Sequence, residues 1–163
     1  MPRMCAPMIA AVFTVSATCA AIEPGFAPEA LSALTLEQRA ALVVSRDFLR
    51  AASAGNLSSV MTLCSTPFFW NGEQTLQTSD ALRKTFATFF AEEGEQNLRT
   101  TAEEIYPVGQ AIVKTLTSKA QEFVQNSVGK SGILYFAWFQ GERLALFLKE
   151  TDAGTWRVVG FED

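Results

Sequence analysis

The sequence predicts an α+β domain in which N-terminal helices pack on a curved, mostly antiparallel sheet. Three observations support this class: a long amphipathic helix begins near residue 35, an aromatic hairpin follows it, and three apolar strands close the chain. Helices, a hairpin, another helix and a final strand meander are typical of helices layered over one face of a sheet. A length of 163 residues is that of one ordinary domain.

The composition limits the classes of function. Hydrophobic residues make up 48% of the chain and include 13 Phe, so a sizeable core is expected. Charged residues make up 18%, and the net charge of −4 is spread without a cluster of Lys and Arg. A nucleic-acid-binding protein normally carries such a basic cluster, so we expect no nucleic-acid partner.

Residues 1–21, MPRMCAPMIAAVFTVSATCAA, have the layout of a secretory signal peptide. Arg3 stands near the start, an apolar stretch follows, and small residues end it, which allows cleavage after Ala20 or Ala21. A later alternative is cleavage after Ala27. The competing interpretation is a helical or frayed terminus of a cytoplasmic protein.

The apolar stretch does not favour a membrane anchor. Pro7, Thr14, Ser16 and Thr18 interrupt a stretch that is already shorter than the ~20 apolar residues of a spanning helix. We therefore predict an exported protein, periplasmic or secreted, without a stable anchor after cleavage. The domain organisation is then a signal peptide, a linker at residues 22–34 and one domain at residues 35–163.

The first element of this domain is a helix with both ends marked. Thr35 and Gln38 form a capping-box pair, and Gly55 with Asn56 supplies the stop. Its apolar stripe is expected at Leu36, Ala40, Val43, Val44, Phe48, Ala51 and Ala52. A short second helix over residues 57–64 follows directly.

The stretch PFFWNGEQTL predicts a β-hairpin. Asn71-Gly72 suits a type I′ turn, because both central residues of that turn need positive φ. A two-residue loop gives a definite register with aromatic side chains on both faces. One face then carries Phe68, Trp70, Glu73 and Thr75, and the other carries Phe69, Gln74 and Leu76.

A third helix, a strand and a stretch of ambiguous secondary structure come next. The helix is expected to start at a cap from Ser79 or Asp80 and to stop at Gly94, with one apolar stripe made by Leu82, Phe86, Phe89 and Phe90. A strand over residues 99–106 ends at Pro107. Residues 109–128 favour a helix by the spacing of their apolar residues, although AIVKTLT is also rich enough in β-branched residues for a strand.

Three strands, GILYFAWFQ, RLALFLKE and TWRVVGFED, form a closing antiparallel meander. In the first of them, Ile133, Tyr135, Ala137 and Phe139 alternate with Leu134, Phe136 and Trp138, so both faces are apolar. A sheet face exposed to water would instead be polar. The outer face must therefore be covered, either by residues 109–128 or by a second copy, and we expect a homodimer through the sheet.

Four of these stretches together carry a resemblance: VSRDFLRAASAGNLSSVMTLCS, PFFWNG, DALRKTF and LALFLKETDAGTWRVVGFED. In order and spacing they resemble the nuclear transport factor 2-like superfamily, a cone-shaped α+β fold that includes polyketide cyclases of the SnoaL type. The resemblance implies a pocket inside the cone for a small apolar molecule and a sheet surface used for dimerisation. The superfamily holds isomerases, dehydratases, hydrolases, cyclases and many non-catalytic members, so the fold assigns no activity.

The chain contains no His, which excludes Ser-His-Asp and Cys-His nucleophile systems and the His-Asp pair of dehydratases that resemble this fold. We predict no cofactor and no metal site. Asp47, expected beside the buried stripe of the first helix, is the candidate general base, although pairing with Arg50, Arg46 or a backbone group is the structural alternative. Tyr106 and Tyr135 are candidate hydrogen-bond donors. Arg83 and Glu104 are further candidates for lining the cone.

Three functions remain in competition. The first is an exported, non-catalytic domain that binds a small apolar molecule, mediates association, or does both, with a pocket lined by Asp47, Trp70, Tyr106, Tyr135 and Trp138. The second is a small isomerase- or cyclase-like enzyme that uses Asp47 as its base. The third is a protein-interaction domain whose cone is filled by its own Phe and Trp side chains, with no cavity of about 300 Å³.

Overall fold

The computed structural model describes residues 31–93, 100–109, 111–139 and 141–163. The predicted signal peptide and most of the predicted linker lie outside these ranges. At the end of the linker, Leu31 and Leu34 are partly buried against the inner core, the cluster that lies between the first three helices and the sheet. None of the helices in the described ranges combines the length and the hydrophobicity that crossing a bilayer requires.

The first two helices have the predicted ends. Helix α1 spans Leu36–Ser53, and both hydrogen bonds of the capping box between Thr35 and Gln38 are formed. Gly55 follows its end with a φ of +60°, a conformation that glycine adopts without strain. Helix α2 spans Leu57–Leu63, and its N-cap is Asn56, whose side chain accepts a hydrogen bond from Ser59 N–H.

The buried face of α1 matches the predicted stripe in part: Phe48 and Ala51 are buried and Val44 and Ala52 are partly buried against the inner core, whereas Ala40 is exposed. Leu36 and Val43 are 79% and 58% exposed. The row that contains Leu42, Phe48 and Leu49 buries more apolar area than the row with Ala40 and Val43, so the helix turns the larger side chains inward. The buried positions are Ala41, Leu42, Ser45, Phe48, Leu49 and Ala51.

The hairpin joins β1, Cys64–Trp70, to β2, Gln74–Leu76, with the predicted turn but a different register. Asn71 and Gly72 have φ values of +44° and +71°, as predicted. Glu73 is a third loop residue, so Trp70 lies opposite Gln74 rather than Glu73. The shift of one residue keeps the Glu73 carboxylate off the buried face and brings Leu76 to the side of Phe68 and Trp70, against the inner core.

Helix α3 spans Ser79–Glu93 and strand β3 spans Ala102–Pro107. The cap of α3 is neither Ser79 nor Asp80: the Thr78 hydroxyl accepts the hydrogen bond from Ala81 N–H, because Thr78 is the last residue before the helix. The predicted stop at Gly94 lies outside the described residues. The predicted stripe is confirmed, with Leu82 and Phe86 buried and Phe89 and Phe90 partly buried beside them.

The sheet closes with β4, Ile133–Phe139, β5, Glu142–Glu150, and β6, Trp156–Glu162, which form the predicted antiparallel meander. The strand order is β2-β1-β6-β5-β4-β3, and every pair is antiparallel except β1 with β6. Gly160 lies opposite Phe69 in that parallel pair. A Cβ at Gly160 would lie 2.7 Å from Phe69 Cβ, so glycine permits the close approach of the two strands.

The region whose structure was ambiguous from sequence is helical, as favoured. It contains a 3₁₀-helix at Ala111–Thr115, helix α4 at Ser118–Phe123 and a π-helical turn at Val124–Val128. We call residues 111–128 the cover segment, because its apolar side chains pack on the outer face of the sheet. This outer core consists of Leu116, Ala120, Phe123, Val124 and Val128 from the segment and Phe69, Leu134, Phe136, Ala145, Phe147 and Val159 from the sheet.

Hydrogen bonds also join the cover segment to the sheet at three positions. The buried Glu162 carboxylate accepts hydrogen bonds from the Thr117 N–H at 3.1 Å and the Thr117 hydroxyl at 2.5 Å. Arg143 donates to the Thr115 carbonyl, and Lys149 donates to the Ser127 carbonyl, both at 2.9 Å. The outer apolar face is therefore covered by the chain itself, which removes the reason for requiring a second copy there. The helices and sheet together form the predicted cone-shaped α+β architecture.

Candidate functional site

The interior of the cone is occupied by the chain's own aromatic side chains. Trp70 is 8% exposed, and its ring centroid lies 4.9 Å from that of Phe86 and 5.0 Å from that of Phe161. Phe68 lies 5.8 Å from Phe86 on the same face. Most of these pairs have the edge-to-face geometry of a packed core. Trp70 is thus a core residue and does not stand free at the mouth of a pocket.

The same aromatic network continues along α1 and α3. Phe48 of α1 lies 6.2 Å from Phe86, and Phe90 lies 5.7 Å from Phe86 in a stacked arrangement. Phe89 lies 5.9 Å from Trp70. Helices α1 and α3 are therefore joined to the hairpin through aromatic contacts.

A buried polar cluster joins α1 to β3 and β4. Arg46 of α1 donates from Nη2 and Nε to the Glu103 carboxylate, at 2.6 and 3.2 Å. The hydroxyl of Tyr135 donates to Glu103 Oε1. The Glu103 side chain is 3% exposed and Tyr135 is fully buried, whereas the Arg46 side chain keeps 35% of its surface in water. Both carboxylate oxygens of Glu103 are thus engaged by groups of the protein itself.

The Tyr135 hydroxyl and the Cys64 thiol are the buried groups that an oxyanion or nucleophilic mechanism would use, and burial keeps both protonated. Burial, reinforced by the Glu103 carboxylate, raises the pKa of Tyr135 far above its ordinary value. Burial likewise raises the pKa of the Cys64 thiol. Both groups are therefore neutral at physiological pH, and Cys64 has the protonated, inert character of a structural cysteine.

Asp47 lies at the edge of α1, outside the enclosed interior. Its carboxylate accepts a hydrogen bond from Arg50 Nη1 at 2.8 Å, and its side chain is 44% exposed. The rotation of the buried face of α1 toward Leu42 and Leu49 is the physical reason for this position. The pairing with Arg50 is the structural alternative that the sequence left open.

The predicted pocket residues are divided between the two faces of the sheet. Trp70 and Tyr135 belong to the inner core, whereas Tyr106 and Trp138 pack partly buried at the outer core. Alternation along β4 requires this division, because residues 135 and 138 differ by an odd number of positions. With Asp47 at the edge of α1, the five predicted residues do not meet in one pocket.

The two further candidates also lie outside the interior. Glu104 is exposed on β3 and accepts a hydrogen bond from the Tyr106 hydroxyl at 2.9 Å. Arg83 is exposed on α3. Within the described ranges, no group of three or more His, Cys, Asp or Glu side chains is arranged to hold a metal ion.

The side chain of Glu103 is a buried charge that was not among the candidates from the sequence, as is that of Glu162. In β3, Glu103 alternates with Glu104 and shares its face with the buried Ile105. This alternation in AEEIYP is the feature that predicts an inward Glu103 and an outward Glu104. The predicted strand over residues 99–106 therefore implies that Glu103 and Glu104 point to opposite faces.

A groove lies on the other side of the sheet, between β2 and the cover segment. This groove has a volume of about 420 Å³ and is open to solvent. Its floor is the pair Phe69 and Phe123, stacked with centroids 5.1 Å apart. One wall consists of Glu73, Thr75 and Gln77, and the other of Lys119, Glu122 and Asn126. We call them the strand wall and the helix wall.

The side chains of the wall residues make no polar contacts with other described residues. All six are exposed. The helix wall continues into the π-helical turn, which contributes Asn126 and Ser127. Such turns occur frequently at functional sites. The groove is therefore an open surface depression whose walls carry polar groups without a polar partner among the described residues.

Solved structures similar to this chain share little sequence with it. A ketosteroid isomerase-like protein from Erwinia carotovora atroseptica is 10% identical, with 78% of this chain and 95% of that chain covered and a TM-score of 0.43. A protein of unknown function with a cystatin-like fold from Nostoc punctiforme is 8% identical, with 79% and 91% covered and a TM-score of 0.48. A protein named as a dehydratase of the nuclear transport factor 2-like family, from Streptomyces avermitilis, is 12% identical, with 77% and 93% covered and a TM-score of 0.42.

No model of a protein family matches the chain, and no curated protein matches it. The names of the similar structures include enzymes and proteins without a known function, so they do not choose between catalysis and binding. That choice depends on the filled interior of the cone and on the open groove outside it.

Proposed function

We propose that the chain is a non-catalytic recognition domain that uses its outer surface, while its cone serves as a hydrophobic core. The observation that carries this proposal is the packing of Trp70 against Phe86 and Phe161 in the interior. A ligand inside the cone would have to displace these rings. The open groove on the opposite face of the sheet needs no such rearrangement.

The acid and base candidates also favour a non-catalytic role. A general base needs a free lone pair within reach of a substrate proton. The Glu103 carboxylate is bound by Arg46 and Tyr135 through both of its oxygens, and the Asp47 carboxylate lies at the edge of α1, outside the enclosed interior. An isomerase-like site with Asp47 as its base would need Asp47 beside a tyrosine in an enclosed cavity, and its contacts are with Arg50 instead.

Benzene tests whether the cone is a pocket. A ligand that binds only the folded chain raises the melting temperature, so we expect saturating benzene to leave the melting temperature of the wild-type chain unchanged. The Phe86→Ala variant is the control, because removing a buried ring creates an apolar cavity of the kind that binds benzene. Benzene should raise the melting temperature of that variant by about 2 °C or more.

Two outcomes decide this test. A stabilised variant beside an unaffected wild-type chain supports the proposal. Stabilisation of the wild-type chain to the same extent contradicts it and favours a domain that binds small apolar molecules in the cone. If Phe86→Ala does not fold, Leu82→Ala, whose leucine is 1% exposed, opens the same region with a smaller loss of volume.

Export from the cytoplasm is part of the proposal and is motivated by the layout of residues 1–21. Self-association of two copies is a second candidate function. Native mass spectrometry of the protein recovered from its source cells reports both. A mass lowered by the leader supports export and the full mass contradicts it. A doubled mass supports a homodimer, whose interface would have to lie outside the surface that the cover segment occupies.

A further inference from the structure

We propose that the groove binds an extended peptide segment that carries a lysine or arginine side chain. This proposal rests on the proposed function and gives the recognition domain its site and the chemistry of its partner. The spacing of the residues along each wall, the length that this spacing gives and the charges of the walls support it.

The strand wall has the repeat of an extended peptide. Thr75 lies in β2, and Glu73 and Gln77 flank the strand two positions before and after it; all three side chains line the groove. Alternate side chains of a strand are about 6.6–6.8 Å apart, and the backbone groups of an extended peptide repeat at the same distance. Each wall residue can therefore meet every second residue of a peptide that runs alongside.

The helix wall has a matching length. Lys119, Glu122 and Asn126 are spaced at i, i+3 and i+7, which places them on one face of α4 and its continuation. At 1.5 Å per residue they span about 10 Å, and the strand wall spans about 13 Å. This length corresponds to about three or four residues of extended chain.

The charges of the walls select a cation. Each wall carries one carboxylate, Glu73 on the strand wall and Glu122 on the helix wall, against the single ammonium of Lys119. Neither carboxylate has an ion-pair partner among the described residues. A lysine or arginine side chain between the walls would meet an acidic group on each side, while Lys119 and the amides of Gln77 and Asn126 donate to peptide carbonyls.

The floor suits the stem of such a side chain. Phe69 and Phe123 form an apolar base that is 3% and 6% exposed, so little ring surface is left for deep insertion. The methylene stem of Lys or Arg lies along apolar surface while its charged end stays among polar groups. A large apolar ligand would gain little from this shallow floor.

The test uses three probes of similar length on the ¹⁵N-labelled chain: Ac-Thr-Arg-Thr-Lys-Thr-NH₂, the acidic peptide Ac-Thr-Glu-Thr-Asp-Thr-NH₂, and maltopentaose. We expect the basic peptide to shift the amide signals of Thr75, Gln77 and Asn126 and to bind about 10-fold more tightly than the acidic one. Glu122→Gln should weaken its binding about 3- to 10-fold. Glu92→Gln, which changes an exposed carboxylate on α3, is the matched control and should leave the affinity unchanged.

Three results would overturn the site: no shifts at the groove residues, equal affinity for the two peptides, or preferential binding of maltopentaose. The benzene experiment keeps this failure separate from failure of the proposed function. If benzene leaves the wild-type chain unaffected and the basic peptide still avoids the groove, the cone is a core and only the assignment of the groove is wrong.

Discussion

Replacement of Trp70 by Ala is expected to lower the free energy of unfolding by about 3–5 kcal/mol, the usual cost of truncating a fully packed aromatic residue. Trp70 contacts Phe68, Phe86, Phe89 and Phe161, so its removal leaves a cavity where α3 meets the sheet. Urea unfolding followed by circular dichroism measures the loss. The slope against urea should stay the same, because the folded state remains compact.

The matched control for this change is Trp138→Ala. Trp138 is only partly buried at the margin of the outer core, so its truncation should cost less than half as much. If Trp70→Ala is nearly neutral, Trp70 would be the wall of an empty pocket rather than part of a packed core. The interpretation of the interior given above would then be wrong.

Replacement of Glu103 by Ala is expected to lower the free energy of unfolding by about 3 kcal/mol. The change removes the acceptor of the buried Tyr135 hydroxyl and breaks the ion pair between Glu103 and Arg46. Loss of one member of a buried ion pair typically costs about 3–5 kcal/mol. We expect the lower end of this range because Arg46 retains contact with water.

Glu104→Ala is a close control, since it removes the same group from the neighbouring position on the exposed face of β3. Its effect should stay within about 0.5 kcal/mol. Equal effects at Glu103 and Glu104 in chemical unfolding would show that the cluster of Arg46, Glu103 and Tyr135 does not hold α1 on the sheet.

Local patterns were sufficient for most elements of the fold. The capping box at Thr35, the Asn71-Gly72 turn and the alternation in the closing strands each depend on residues a few positions apart. The errors arose where the local sequence allowed two alternative arrangements and tertiary contacts decided between them. Helix α1 carries two apolar rows, and the hairpin accepts two registers that differ by a single loop residue.

The candidate site was less accessible from the sequence, because it combines elements that are distant along the chain. The groove joins residues 67–77 to residues 119–127, and no local pattern indicates that the cover segment lies beside the hairpin. By contrast, strand alternation was enough to separate Tyr135 from Trp138 and to direct Glu103 inward. Those two features were predictable, whereas the position of the groove required the packing of the outer core.

A crystal structure under xenon pressure tests the central claim, that the cone is a core, most directly. Xenon enters apolar cavities that are large enough to hold it and leaves close-packed regions empty. We predict no xenon among Phe68, Trp70 and Phe86 in the wild-type chain, and a bound xenon atom at that place in the Phe86→Ala variant. A xenon atom between these side chains in the wild-type protein would show that the cone holds a pocket and would contradict the account.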